Sequence, residues 1–108
     1  IIIKKWKELA FKYELKISIN GLPALCSFIF QGKNFQKYKT LITQEMLKKG
    51  FLASNAIYSS IAHNKDVLDQ YFFELEKIFK LIQDCENGLS IDKLLEYPVS
   101  KSGFERLN

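Results

Sequence analysis

Residues Gly50–Ile82 read GFLASNAIYSSIAHNKDVLDQYFFELEKIFKLI, and this stretch organises the rest of the chain. Gly50 follows Lys48 and Lys49, so a helix stops here: cations suit the negative end of a helix dipole, and glycine takes the left-handed position beyond it. Phe51-Leu52 and Ala56-Ile57-Tyr58 are short apolar pieces around the polar Ser54-Asn55 step, and they predict one or two short strand segments. Asn64 then reads as the N-cap of a long helix, with Asp66 in its first turn. Val67, Leu68, Tyr71, Phe72, Leu75, Ile78, Phe79 and Ile82 form one broad apolar stripe at helical spacing. Glu76 and Lys80 stand four residues apart on its outer side, an expected ion pair. Phe73 lies off the stripe.

Upstream, Ile2, Trp6, Leu9, Ala10 and Tyr13 repeat at helical spacing among lysines, which predicts a helix ending near Tyr13 with an apolar side that needs a cover. Leu15, Ile17 and Ile19 alternate with Lys16 and Ser18, the pattern of a half-buried strand. Asn20-Gly21-Leu22-Pro23 breaks it. Leu25 to Phe30 is apolar at nearly every position and predicts a strand covered on both faces. The short connection makes the two strands an antiparallel pair. Asn34 is the candidate N-cap of a second helix carrying Phe35, Tyr38, Leu41, Ile42 and Met46. Beyond the long helix, Asn87-Gly88 closes it and Ser90 opens a short helix. Tyr97-Pro98 stops that helix, and residues 99–108 form an irregular tail. The order α-β-β-α-β-α predicts an α+β two-layer sandwich: a small antiparallel sheet of about three strands with helices packed on one face.

Composition fits one soluble domain over residues 1–108: 47% hydrophobic and 26% charged residues. No apolar run approaches the roughly 18 to 20 residues of a membrane span. The net charge is +4, but the lysines scatter among acidic residues, as on solvated helix faces. Cys26 and Cys85 show no metal or redox spacing and read as free, partly buried thiols. The sequence has no Met at its start and opens inside a periodic segment, so it reads as a piece of a longer protein.

Chemistry is thin. There is no phosphate-cradling glycine loop, and the single histidine, His63, argues against a histidine metal site. His63 with Ser59, Ser60 or Cys26 could be assembled into a nucleophilic set, but a helix-entry role suits it better. Glu45, Glu74 and Glu76 read as solvated or paired helix residues. No lysine has the desolvated setting of a covalent catalyst.

Four stretches together carry a resemblance: GLPALCSFIF at 21–30, FQKYKTLITQEMLKKGFL at 35–52, SSIAHNKDVLDQ at 59–70 and SGFERLN at 102–108. In this order and spacing they resemble the C-terminal domain of class III, fold type I, pyridoxal-phosphate aminotransferases. They are most similar to the glutamate-1-semialdehyde 2,1-aminomutase branch, whose helix entry Ala62-His63-Asn64, with Asp66 and Asp69, matches. The resemblance implies an α+β small domain that closes over the substrate side of a cytoplasmic homodimeric enzyme. Pyridoxal phosphate and its covalent lysine would belong to an upstream large domain, and the substrates would be a small-molecule amino donor and acceptor. No catalytic residue, nucleic acid or membrane is implied for this chain, and the fragment alone would be inactive. Ser54, Asn55 and Tyr58 are the implied substrate-side residues. Asn55 falls near the position where the aminomutase has a glutamate, which favours a related aminotransferase over the mutase. Trp6 and Phe73 would be left exposed in the isolated domain, favouring association. The alternative readings are a stand-alone basic α+β binding module, for RNA or protein, and a small regulatory domain. An RNA-binding module would want sheet aromatics such as Phe28 and Phe30 exposed.

Overall fold

The computed structural model describes residues 2–21, 25–51, 55–58 and 64–96. The elements follow as α1 (Ile2–Lys12), β1 (Ile17–Gly21), β2 (Leu25–Phe30), α2 (Phe35–Lys48), β3 (Ala56–Tyr58), α3 (Lys65–Glu86) and α4 (Ile91–Leu94). The three strands form one antiparallel sheet in the order β1-β2-β3, and the α+β architecture expected from the sequence is the one observed.

The register explains which residues enter the core. Ile17 pairs with Phe30, Ile19 with Phe28, and Cys26 with Ile57. Directly opposed residues share a face, so these six line the helix-covered side. Phe28, Phe30 and Ile57 are buried there. Ser18 opposite Ile29 and Ser27 opposite Ala56 share the other side. Ile29 is 47% exposed, so β2 is not covered on both faces as its composition suggested. All described helices lie against one face or against each other, and an apolar residue at the remaining face is left half open.

Phe28 is the hub of the core. Its ring centroid lies 4.8 Å from that of Trp6 on α1, 5.6 Å from Phe30 and 5.7 Å from Phe79 on α3. Tyr38 on α2 adds an edge contact to Phe30. Trp6 is fully buried, against the expectation that it would be exposed. Its cover is α3, and its indole Nε1–H donates to the Tyr71 hydroxyl at 3.2 Å. Phe73 is 58% exposed, as its place off the stripe implied. Val67, counted in that stripe, is 38% exposed in the first turn of α3.

The helix ends are built unequally. Asn64 caps α3 by accepting the Val67 backbone N–H at 3.1 Å. Asn34 and Ser90 occupy the N-cap positions of α2 and α4 without a side-chain cap bond. Gly50 closes α2 with φ +86°, and its N–H reaches the Leu47 carbonyl. At the end of α1 the same left-handed turn is made by Glu14, with φ +58°. Leu15 N–H returns to the Ala10 carbonyl at 2.8 Å, the six-to-one bond of a Schellman closure. A side chain is strained in that conformation, so Glu14→Gly is expected to raise stability by up to about 1 kcal/mol. A urea melt checks this, and a lower midpoint would contradict it.

Candidate functional site

The residues expected on the substrate side lie at the entry and exit of β3. Ser54 and His63 fall outside the described residues. The backbone of Tyr58 ends β3 opposite Leu25, and its side chain lies outside the described part. Asn55 is the one candidate whose contacts are visible. Its backbone carbonyl accepts the Phe28 N–H at 2.9 Å. Its side-chain Nδ2–H donates to the Phe28 carbonyl, also at 2.9 Å. Asn55 therefore holds the start of β3 to the middle of β2 by both its main chain and its side chain.

Sequence reasoning missed a second cluster, in the groove between α1 and α3. Lys5, Glu8, Leu9, Lys12, Asp69, Phe72, Phe73 and Glu76 line a cavity of 290 Å³. The expected Glu76–Lys80 pair is not formed. Glu76 accepts from Lys12 Nζ at 2.5 Å and from the Tyr13 hydroxyl at 2.8 Å, while Lys80 pairs with Asp84 at 3.0 Å. The reason is tertiary: the end of α1 runs beside the middle of α3, and a carboxylate facing it takes the nearer cation. The Lys12 ammonium, and after it the Tyr13 hydroxyl, hold the Glu76 carboxyl below its usual range, and the same contact raises Lys12. Both partners are substantially exposed, so the pair fixes orientation more than it stabilises. Lys5 and Lys77 sit over Phe72 and Phe73, at 5.7 and 4.2 Å from the ring centroids.

Glu74 is buried on α3, where Gln70 donates to it at 2.8 Å and Lys77 approaches at 3.3 Å. Tyr38 donates to Glu86, and burial, with that carboxylate second, drives its phenol well above the ordinary range. Burial likewise pushes the Cys85 thiol up, which keeps it protonated and a poor nucleophile. Cys26 and Cys85 are both free and half-buried, as their spacing implied.

The described residues support little chemistry of their own. They contain no group of three side chains able to hold a metal ion. Their lysines are exposed apart from Lys37, which is partly buried and paired with Asp92 at 2.9 Å. A pyridoxal-binding lysine needs a desolvated amine, and none of these has that setting. Phe28 and Phe30 are both turned into the core, so the sheet offers neither ring for stacking on a nucleic-acid base. Among the described residues, no helix is long and apolar enough to cross a membrane. No protein-family model, no curated protein and no solved structure matches this chain.

Proposed function

We propose that this chain is the substrate-side small domain of a pyridoxal-phosphate aminotransferase of the class III type, serving an enzyme that moves an amino group from a small donor to an aldehyde or ketone acceptor. The observation that carries the reading is a coincidence of landmarks. The sequence motifs that resemble this family call for a helix stop at Lys49-Gly50 and a helix entry at Asn64. In the fold, α2 ends at Lys48 with Gly50 in the left-handed conformation, and the Asn64 side chain caps α3. Between them lies β3, an edge strand of the sheet.

The described residues do not fit pyridoxal phosphate itself, because they offer no desolvated lysine. The reading therefore assigns the cofactor and its covalent lysine to a large domain elsewhere in the protein, and the full enzyme to a cytoplasmic homodimer. The role left to this chain is to wall the substrate pocket and exclude water, with Ser54, Asn55 and Tyr58 at that wall. Asn55 falls near the position where the aminomutase branch has a carboxylate, and an amide there supports a transferase rather than the mutase.

The test is spectroscopic. The full protein is expected to be yellow, to bleach with borohydride, and to carry the resulting cofactor label on a lysine outside residues 1–108. A colourless full protein with no lysine-bound cofactor would overturn the proposal.

A further inference from the structure

We infer that the free edge of β1 is a pairing site for a second copy of this chain: two β1 strands join antiparallel about a two-fold axis at Ile19, and the two sheets become one. The inference is independent of the aminotransferase reading.

The register leaves this edge open. The Gln31 N–H donates to the Lys16 carbonyl at 2.9 Å, so these two residues form a hydrogen-bonded pair. Such pairs alternate along an antiparallel ladder. Ser18 and Asn20 therefore spend their main-chain groups on β2, while Ile17, Ile19 and Gly21 turn theirs outward. The far side of β2 agrees, since the Phe28 N–H goes to Asn55. Among the described residues, the outward groups take one bond, a long 3.4 Å contact from Gln31 Nε2 to the Ile17 carbonyl at an exposed site. A well-aligned main-chain donor displaces it.

The edge is complementary to itself. A two-fold axis at Ile19 sets Ile17 opposite Gly21 of the second copy, Ile19 opposite Ile19, and Gly21 opposite Ile17. Every residue in these couples faces outward, so each couple exchanges two main-chain bonds. The side chains fit as well. Ile3, Ile17 and Ile19 are only half-buried on the helix-covered side. A Cβ at Gly21 would come within 3.3 Å of Ile3 Cδ1. With no side chain there, Ile17 of the second copy comes to rest beside Ile3. On the other face Ser18 meets Asn20, both exposed and polar. Residues 17–21 carry no charge and no proline, the devices that keep strand edges apart. No like charges therefore oppose one another across the axis. The seam is five residues long, about 17 Å, and falls short of the roughly 1,200–2,000 Å² of a stable interface. The contact is accordingly weak and reversible, with an expected Kd of about 10–100 μM.

The experiment uses the full protein carrying this domain, from well below to well above that Kd. Sedimentation reads the mass, and hydrogen exchange reads the Ile17, Ile19 and Gly21 amides. With rising concentration the mass is expected to climb toward twice its dilute value, and the three amides to exchange about tenfold more slowly. Ser18→Lys with Asn20→Lys sets lysine against lysine across the axis and is expected to abolish both effects. Ser18→Glu with Asn20→Glu does the same with carboxylates. An equal mixture of the two double variants is expected to restore both effects, because each lysine then faces a glutamate. Wild-type mass and exchange that ignore concentration would overturn the proposal. So would slow exchange at every concentration that the lysine variant does not speed, which would place another part of the same protein on the edge. Association in the wild type that the mixture fails to restore would overturn the two-fold register at Ile19. None of these outcomes depends on the pyridoxal chromophore, whose absence would sink the functional reading alone.

Discussion

Replacing Trp6 by alanine is expected to cost about 3–5 kcal/mol of stability, the usual range for emptying a fully buried aromatic site. Small domains hold only about 5–15 kcal/mol in total, so the variant would be marginal at room temperature. The effect is large because Trp6 joins two layers. Its ring stacks at a tilt on Phe28 of the sheet, and its indole N–H bonds Tyr71 of α3. Without the ring, α1 loses its main hold on both. Tyr71→Phe keeps the ring packing and removes the hydroxyl, which takes the acceptor from the buried Trp6 donor together with whatever else that hydroxyl bonds, at an expected cost of about 1–3 kcal/mol. Urea unfolding followed by circular dichroism measures each. A loss under about 1 kcal/mol for Trp6→Ala would contradict the burial of the ring.

Gln44→Leu is expected to cost about 2 kcal/mol and to free the chain after α4. Gln44 is 2% exposed on α2, and both ends of its amide are used. Its Oε1 accepts the Glu96 backbone N–H at 2.6 Å, and its Nε2 donates to the Leu94 carbonyl at 2.9 Å. A second Nε2 bond goes to Glu45 at 2.8 Å. α4 has only four residues and contributes one buried side chain, Ile91, so it cannot hold its own place. The amide of Gln44 fastens the segment that follows it, assisted by the exposed Lys48–Glu96 ion pair. Leucine fills the space and offers neither bond. Gln44→Glu keeps the acceptor for Glu96 but sets its other oxygen against the Leu94 carbonyl, so it is expected to lose nearly as much. Hydrogen exchange at the Glu96 amide should accelerate in both variants. Unchanged exchange there would show that the clamp does not hold the segment.

Local chemistry made much of the fold legible. The Asn64 cap, the Gly50 stop and the apolar stripe of α3 each depend on residues within a few positions of one another, so the sequence alone exposes them. The same holds for the alternation in β1. The failures share one cause. The apolar run of β2 suggested two covered faces, yet Ile29 is half open, because composition reports what a strand could bury and not what is there to bury it. Glu76 was matched to its helical neighbour Lys80, and a cation 64 residues away in sequence took it instead. Asn34 sits where a cap belongs but makes no cap bond. Glu14 carries a left-handed φ that nothing in a glutamate announces.

The candidate site divides along the same line. That Asn55 lies in a polar step before a short strand was visible from its neighbours. That its amide is spent on the Phe28 carbonyl was not, because the two residues are 27 apart in sequence and meet only once β3 has joined the sheet. By itself, then, the sequence determined the order of elements and most of their inward faces, since periodicity, capping and turn chemistry act over a few residues; it misplaced the end of β1, which runs through the Asn20-Gly21 step expected to break it because both residues pair with β2. Tertiary structure alone decided that Trp6 is covered, that Ile29 on the sheet is left half open, and which partners Glu76, Gln44 and Asn55 hold. Those outcomes depend on which surfaces come together, and no local pattern encodes that.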